Sequence, residues 1–204
     1  MTPEAFAATV NVSRETLSRF RNYADLLVKW QAKINLVGAD SLPDLWRRHM
    51  LDSAQLMAFL PPSVSMVADI GSGAGFPGLV LALLGVPQVH LIESDTRKCA
   101  FLGEAARALG LVVGRNPVIH RARVENMKDL RVGAVIARAC APLSKLIGYS
   151  EPLGPVCLFL KGAHVAEELT EAKKTWRMRI ERFPSLSDPS GTILRISQVA
   201  RARR

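Results

Sequence analysis

The sequence lacks the features that assign a chain to a membrane or to the secretory route. It contains no apolar run of membrane-spanning length, and its start, Met1-Thr2-Pro3-Glu4, has neither the basic residues nor the apolar stretch of a secretory signal. It has only three cysteines, Cys99, Cys140 and Cys157, whose odd number and wide spacing argue against a disulfide framework and a zinc site. We therefore expect a cytoplasmic protein without a bound metal, whose cysteines are small buried residues.

Acidic residues are scarce relative to basic ones. The 204 residues include 27 lysines and arginines against 18 aspartates and glutamates, which gives a formal net charge of +9. A field of this sign attracts polyanions and raises their rates of association. Nucleic acid is therefore the leading partner, and a basic surface that serves only solubility is the alternative.

The apolar pattern divides the chain near residue 62. Ser13 is an N-cap candidate for one amphipathic helix that runs to about Asn35, and Pro43 opens a second helical stretch that ends at Phe59, before Pro61-Pro62. We predict an N-terminal helical extension over residues 1–62 and an α/β core over residues 63–204.

The core alternates short apolar runs with longer helical patterns, which is typical of a parallel sheet with crossover helices. The predicted strands are Val64–Ile70, Val89–Glu93, Pro117–His120, Val132–Ala137 and Pro155–Leu160. The predicted helices are Pro77–Leu84, Thr96–Leu109, Leu143–Pro152 and Val165–Ile180. Ile180–Phe183 and Thr192–Val199 flank a turn and predict an antiparallel edge hairpin. The prediction is a Rossmann-like, mostly parallel sheet.

A glycine-rich turn, Asp69-Ile70-Gly71-Ser72-Gly73-Ala74-Gly75-Phe76-Pro77-Gly78, joins the first predicted strand to its helix. Only glycine lets the backbone approach a ligand this closely. Glu93 ends the next strand, where a carboxylate can accept hydrogen bonds from both hydroxyls of a ribose. The turn and Glu93 together predict a nucleotide-ribose site, and a tight turn without a ligand is the alternative.

Two cofactor classes fit this spacing, because the glycines also satisfy the pattern of a nicotinamide-dependent oxidoreductase. Asp69 stands just before the glycines, where its carboxylate can hold the turn through backbone amides and face the amino group of a methionyl ligand. A pyrophosphate would be repelled there. The residues therefore favour a class I S-adenosylmethionine-dependent methyltransferase, whose product is S-adenosylhomocysteine.

Arg138 and Lys161 follow the fourth and fifth predicted strands, at the sheet edge where ligands bind. Arg138 can donate to a guanine edge, a phosphate or the cofactor carboxylate, or it can form an ion pair with Asp69 or Glu93. Lys161 can bind an RNA phosphate or a base carbonyl, or it can be a solvated surface lysine.

The segment Arg138-Ala139-Cys140-Ala141-Pro142 lacks the Asn/Asp-Pro-Pro-aromatic element of enzymes that methylate exocyclic amines. Attack of Cys140 on a pyrimidine ring is a weaker alternative to simple packing.

Further candidates lie on two helices. His49, Asp52 and Ser53 share one face of the second helical stretch, where they either cover the cofactor or form a His–Asp surface pair. The basic residues expected to contact RNA phosphates flank this face or stand in the first turn of a later helix, where the helix dipole disfavours cations: Arg47, Arg48, Arg97 and Lys98.

Together these stretches resemble one family, the bacterial 16S rRNA guanine-N7 methyltransferases, also called glucose-inhibited division protein B. The likeness covers nearly the whole chain. Its most specific part is Arg48-His49-Met50-Leu51-Asp52-Ser53, because the glycine turn is shared by all class I methyltransferases. Ala122-Arg123-Val124-Glu125 and Leu160-Lys161-Gly162 also match.

The resemblance implies methylation of guanine N7 in 16S rRNA, within the small ribosomal subunit or its assembly intermediate. N7 carries a free lone pair, so no general base is required. With the turn, it implies a cofactor site of Asp69, Gly71, Gly73, Gly75, Phe76, Glu93, Val124, Glu125 and Arg138. Arg138, Lys161 and His49 are the catalytic candidates, Lys161 is also an RNA-binding candidate, and we expect a monomer.

Overall fold

In the computed structural model, which describes residues 1–138 and 140–202, a seven-stranded sheet forms the centre of the molecule. Its strands are β1 Met66–Ile70, β2 Gln88–Glu93, β3 Val118–Arg121, β4 Ala134–Arg138, β5 Val156–Lys161, β6 Trp176–Pro184 and β7 Thr192–Arg201. Five strands run parallel in the order β3-β2-β1-β4-β5, and β7 and then β6 continue the sheet with antiparallel pairing. The predicted mostly parallel sheet with an antiparallel edge hairpin is confirmed.

Helices pack against the sheet in two groups, each with its own hydrophobic cluster. The helices are α1 Pro3–Val10, α2 Arg14–Gln31, α3 Asp52–Ala54, α4 Gly78–Leu83, α5 Thr96–Ala108, α6 Leu143–Ser150 and α7 Val165–Lys173. One cluster joins the first helices to the sheet, since it contains Phe20 and Leu27 together with Leu79 and Leu91. Among the described residues, no helix has both the length and the apolar character needed to cross a membrane.

The N-terminal segment is helical but less regular than expected. Ser13 caps α2 as predicted, since its Oγ accepts the amide of Thr16 at 3.1 Å. The helix ends at Gln31 instead of Asn35, because Oε1 of Gln31 accepts the amides of Leu36 and Val37 at 2.9 and 3.0 Å and turns the chain away from the helix axis. The division into an extension and a core stays a prediction.

The prediction of a single helix over Pro43–Phe59 is wrong. The stretch consists of a 3₁₀ turn over Ala39–Asp44, a π-helical turn over Trp46–Leu51, α3, and a second 3₁₀ turn over Gln55–Phe59. Buried positions follow one another almost without a break from residue 49 to residue 56. Packing on more than one side, instead of a single amphipathic face, therefore sets the local geometry.

The predicted helix over Val165–Ile180 is too long, because α7 ends at Lys173 and β6 begins at Trp176. Trp176 is buried, and its Nε1 donates to the carbonyl of Ser144 at 3.0 Å. The edge hairpin is correspondingly longer than predicted. Tertiary pairing with β7 overrides the helical propensity of this stretch.

Candidate active site

A cleft of about 750 Å³ opens at the carboxyl ends of the parallel strands. The predicted site residues that line it are Arg48, His49, Gly71, Gly73, Phe76, Glu93, Lys98, Arg138 and Lys161. The predicted site residues outside its lining are Arg47, Asp69, Gly75, Arg97, Val124 and Glu125. The structure therefore brings residues from both ends of the chain and from the strand ends into one concave surface.

Three glycines of the turn have backbones with positive φ, namely +65° at Gly71, +53° at Gly73 and +88° at Gly75. A Cβ on Gly71 would lie 2.7 Å from Cβ of Cys140, so this position has no room for a side chain. Among the described residues, a Cβ on Gly73 would have only the carbonyl oxygen of Gly71 near it, at 3.7 Å. The space beside Gly73 is thus open for the close approach of a ligand.

Glu93 ends β2 and is almost completely buried. Its Oε2 accepts the amide of Gly73 at 3.0 Å, and its Oε1 accepts the amides of Ser94 and Asp95 at 2.7 and 2.8 Å. The carboxylate therefore fixes the glycine turn to the end of β2, a role that the sequence does not predict. Oε2 has one amide partner, so it retains a lone pair for a ligand hydroxyl.

Asp69 lies beneath the turn, fully buried, and not on the cleft wall. Its Oδ2 accepts the amide of Gly78 at 3.0 Å, which anchors the start of α4. Its Oδ1 has no hydrogen-bond partner among the described residues, and burial raises the pKa of the carboxyl to about 7. The predicted contact with backbone amides is present in the structure, and one polar oxygen remains unsatisfied.

Phe76 forms the apolar floor of the cleft between two polar side chains. The guanidinium of Arg138 lies 5.1 Å from the centre of its ring, and the His49 ring stacks on it at 5.1 Å between centroids. Nε2 of His49 lies 2.7 Å from Oγ of Ser41, while Nδ1 is buried without a partner among the described residues. The alternative of a His49–Asp52 surface pair is therefore wrong.

The imidazole of His49 is neutral at physiological pH. Burial, together with the positive charges of Arg138 and Arg48, lowers its pKa from 6.5 to about 3. The ring can therefore stack and form hydrogen bonds without adding a positive charge to the cleft.

Arg138 joins the end of β4 to the N-terminal segment. Its Nη1 donates to the carbonyl of Arg48 at 3.0 Å and lies 3.8 Å from Oδ2 of Asp52. The alternative ion pair with Asp69 or Glu93 is not found, and Asp52 is the partner instead.

Asp52 also binds the loop between β6 and β7. Its Oδ1 accepts Oγ of Ser187 at 2.5 Å and Nε2 of Gln55 at 3.0 Å. Gln55 Oε1 accepts the amide of Leu186 at 2.8 Å, and Nη1 of Arg47 donates to the carbonyl of Ser187 at 3.0 Å. This network holds the loop against the cleft. The sequence does not predict it, because the partners lie about 130 residues apart and each residue is unremarkable by itself.

Lys161 is neither solvated nor free, since its side chain is only 7% exposed. Its Nζ lies 2.7 Å from Oε2 of Glu168 and 3.4 Å from the carbonyl of Ala141. The same Glu168 oxygen accepts the amide of Leu143 at 2.7 Å. The ion pair therefore ties the end of β5 to the loop that follows β4.

Of the other predicted RNA and cofactor contacts, Lys98 lines the cleft, whereas Arg97, Val124 and Glu125 lie outside its lining. Asp95 caps α5 by accepting the amides of Arg97 and Lys98, which places the Lys98 side chain on the cleft wall. Val124 and Glu125 lie in a short 3₁₀ turn after β3, and the preceding Arg123 lines the cleft in their place.

The cysteines differ from one another. Cys157 is buried and Cys99 half-buried, but Cys140 is exposed on the cleft wall, so the expectation of a buried side chain is wrong there. Although Cys140 keeps solvent contact, partial desolvation and the charge of Asp69 raise the pKa of its thiol to about 11. A protonated thiol is a poor nucleophile, which argues against attack on a pyrimidine.

Tyr23 is a residue of the site that the sequence does not single out. It is fully buried on α2, and its hydroxyl donates to the carbonyl of Ala74 within the glycine turn. The available signal is its place on the apolar face of the helix, three residues after Phe20 and four before Leu27. A tyrosine in a buried stripe requires a partner for its hydroxyl.

Comparison with known proteins gives concordant matches. The GidB family model, described as rRNA small subunit methyltransferase G, matches residues 16–190. A relative from Rhodospirillum rubrum, named Ribosomal RNA small subunit methyltransferase G, is 54% identical over 205 residues, which cover 99% of this chain and 100% of the relative.

Solved structures share the fold at low sequence identity. A SAM-dependent methyltransferase from Aquifex aeolicus has a TM-score of 0.56 at 16% identity, covering 76% of this chain and 93% of its own. TYW2 of M. jannaschii, solved in complex with AdoMet, has a TM-score of 0.54 at 17% identity, covering 84% of this chain and 80% of its own.

Proposed function

Because the chain belongs to the GidB family of rRNA small subunit methyltransferases, we propose that it transfers the methyl group of S-adenosylmethionine to N7 of a guanine in 16S rRNA. The observation that carries this proposal is one cleft whose lining combines the glycine turn and Glu93 with the basic side chains of Arg48, Lys98 and Arg123. A nucleoside cofactor and a polyanionic substrate can meet there. Membership of this family removes the nicotinamide alternative.

The residues present fit S-adenosylmethionine. Gly73 leaves open space beside the backbone, and Glu93 retains a lone pair for a ribose hydroxyl. Phe76 reaches the lining of the cleft with little exposed surface, and Asp69 lies beneath the turn outside that lining, so contacts of these two residues with the cofactor stay predictions. When bound, this cofactor supplies an electrophilic methyl group on a sulfonium. Contacts from Gly71, Gly75, Val124, Glu125 and Arg138 stay predictions.

Methyl transfer to guanine N7 would use the lone pair of the base as the S–C bond of the sulfonium breaks and S-adenosylhomocysteine leaves, so no side chain would have to remove a proton. The protein has only to align the base and exclude water. The neutral ring of His49 suits this task, because the methylated guanine carries a positive charge that a charged imidazole would oppose. Arg138 and Lys161, both held by carboxylates, fix the shape of the cleft around the base.

The substrate we propose is the small ribosomal subunit or its assembly intermediate. Arg48, Lys98 and Arg123 lie on the cleft wall and face solvent to different degrees, and the net charge of +9 extends the attraction for phosphates. RNA affinity should therefore fall steeply as salt rises. The monomeric state and the cytoplasmic location stay predictions.

The test uses the purified full chain, labelled S-adenosylmethionine and small subunits from cells that lack the protein. We expect label in 16S rRNA alone, at one guanine where borohydride and aniline then cleave the strand. Label at another base or in another RNA would contradict the proposal. RNA binding without cofactor binding in calorimetry would indicate a non-catalytic RNA-binding protein instead.

A further inference from the structure

Tyr23 connects the N-terminal segment to the centre of the glycine turn. It lies on α2 and is fully buried, and its hydroxyl donates to the carbonyl oxygen of Ala74. Ala74 stands between Gly73 and Gly75. The contact therefore joins a helix outside the sheet to the part of the backbone that has the most conformational freedom.

The tyrosine fits the turn closely. Its ring lies 5.2 Å from that of Phe76 and 6.4 Å from that of Phe101, between centroids. A Cβ on Gly75 would come within 2.9 Å of the Tyr23 hydroxyl oxygen. Burial raises the pKa of Tyr23 well above its ordinary value, so the phenol keeps its proton and remains a donor.

The turn needs such a contact because three of its four glycines have positive φ, namely Gly71, Gly73 and Gly75. Bonds to β2 hold its first half, since the carbonyl of Ile92 accepts the amides of Gly71 and Ser72 at 2.9 and 3.1 Å. The second half has the bond from the amide of Gly75 to the carbonyl of Ser72, at 2.6 Å, the bond from the amide of Leu79 to the carbonyl of Gly75, at 2.8 Å, and the bond from Tyr23. Tyr23 therefore restricts the half that leads into Phe76.

We propose that Tyr23 is a positioning residue for the cofactor, which holds the carbonyl of Ala74 so that residues 71–76 keep the conformation that binds S-adenosylmethionine. This inference rests on the proposed function of the cleft. It assigns to the N-terminal segment a part in cofactor binding, in addition to the part in substrate recognition that its basic residues suggest.

The Tyr23→Phe variant removes the hydroxyl and keeps the ring. Without the hydroxyl the buried carbonyl of Ala74 has lost its partner, and the turn spends part of its time in other conformations. The apparent Kd rises in inverse proportion to the competent fraction. We expect the Kd and the KM for S-adenosylmethionine to rise roughly tenfold, the usual scale for one buried hydrogen bond, with kcat within about twofold of the wild type.

Ser150→Ala is the matched control. Ser150 is also fully buried, and its Oγ donates to the carbonyl of Leu146 at 2.8 Å within α6, away from the cleft. Both variants lose one buried hydroxyl-to-carbonyl bond, so both should unfold at a lower temperature. Only Tyr23→Phe should weaken the binding of S-adenosylmethionine. Equal effects of the two variants on Kd would overturn the inference.

Hydrogen exchange on the ligand-free protein separates this inference from the proposed function. We expect the amides of residues 71–76 and 78 to exchange faster in Tyr23→Phe than in the wild type and in Ser150→Ala. Unchanged exchange of these amides would overturn the role of Tyr23 whatever the cofactor is. A wild-type chain with no affinity for S-adenosylmethionine in calorimetry would contradict the proposed function instead.

Discussion

The two sides of the cleft are held in place in different ways. On the strand side, residues 69–78 and 93–98, most polar contacts are local or join neighbouring strands, as when Glu93 accepts the amides of Ser94 and Asp95, and the bond from Tyr23 to Ala74 is the long-range exception. On the facing side, residues 36–52 and 185–192, they cross the chain: Ser187 binds Asp52 over 135 residues and Arg47 over 140. A short motif can therefore encode most of the strand side, with Tyr23 as its one long-range support, whereas the facing side depends on contacts across the complete fold.

The substitution with the largest expected effect disrupts the strand side. Gly73→Asp places a side chain at φ +53° in the open space beside the turn and a second carboxylate near Glu93. We expect S-adenosylmethionine affinity in calorimetry to fall by more than about 100-fold through strain, clash and lost contacts.

Gly85→Asp is the control for Gly73→Asp, because Gly85 has φ +105° and nothing near its Cβ but does not line the cleft. This control should keep its cofactor affinity. Retained affinity in Gly73→Asp would move the cofactor site elsewhere.

A second change tests Lys161 at the end of β5. Lys161→Ala leaves Glu168 without its cation and frees the loop after β4, so we expect methyl transfer to fall roughly 100-fold through misplacement of the base. The Kd for S-adenosylmethionine should stay within about twofold, because the turn and Glu93 are untouched.

Lys174→Ala provides the comparison for Lys161→Ala, since Lys174 forms an exposed pair with Glu171. It should have a wild-type rate. An unchanged rate in Lys161→Ala would leave that lysine a structural role only.

A third change breaks the facing side. Asp52→Ala removes the acceptor of Ser187 and the partner of Arg138 together. We expect methyl transfer to fall about tenfold with the cofactor Kd little changed, and the free energy of unfolding to fall by about 2 kcal/mol. Asp52→Asn keeps an acceptor oxygen for Ser187 but loses the negative charge beside Arg138. Its rate of methyl transfer should therefore lie between those of the wild type and Asp52→Ala. A Kd that rises as much as in Gly73→Asp would mean that the two sides are not separable.

The smallest effect concerns pH. The pKa of His49 is about 3 in the folded chain and 6.5 when unperturbed, so only the unfolded chain binds this proton between those values. The free energy of unfolding should therefore decrease as pH falls below 6.5, by at most about 1.4 kcal/mol per pH unit. Above pH 7.5 the group should contribute no slope.

The reference for this measurement is His49→Phe, which keeps the stacking on Phe76 and cannot titrate. Asp69, with a pKa of about 7, titrates in both the wild type and His49→Phe. Its contribution therefore cancels from the difference between their free energies of unfolding. Denaturant unfolding should show that the free energy of unfolding of the wild type falls relative to that of His49→Phe between pH 6.5 and pH 5. A constant difference over that range would mean that His49 is protonated in the folded chain.

The sequence predicts the parts of the structure that depend on nearby residues. The five parallel strands, the edge hairpin, the turn and the position of Glu93 follow from apolar runs, glycines and their spacing. The C-terminal boundary of α7 does not, because pairing of β6 with β7 decides where the helix stops. The regular helix over Pro43–Phe59 fails for the same reason, since neighbours on several sides set its geometry.

In the site, the partners of side chains are harder to predict than their positions. The spacing of His49 and Asp52 suggests a pair, but their observed partners are Ser41 and Ser187. From its sequence position Tyr23 is indistinguishable from a core residue, and only the structure reveals its hydrogen bond to the carbonyl of Ala74. Such contacts depend on the packing of distant segments, which no local pattern encodes.

The strand order has a consequence for synthesis of the chain. β7 lies between β5 and β6, so β6 has no neighbour in the sheet until β7 has left the ribosome. The loop between β6 and β7 cannot take its place against Asp52 before then. A nascent chain could thus form the glycine turn early and still lack one wall of the cleft, so that methyl transfer becomes available only once translation has passed the last strand.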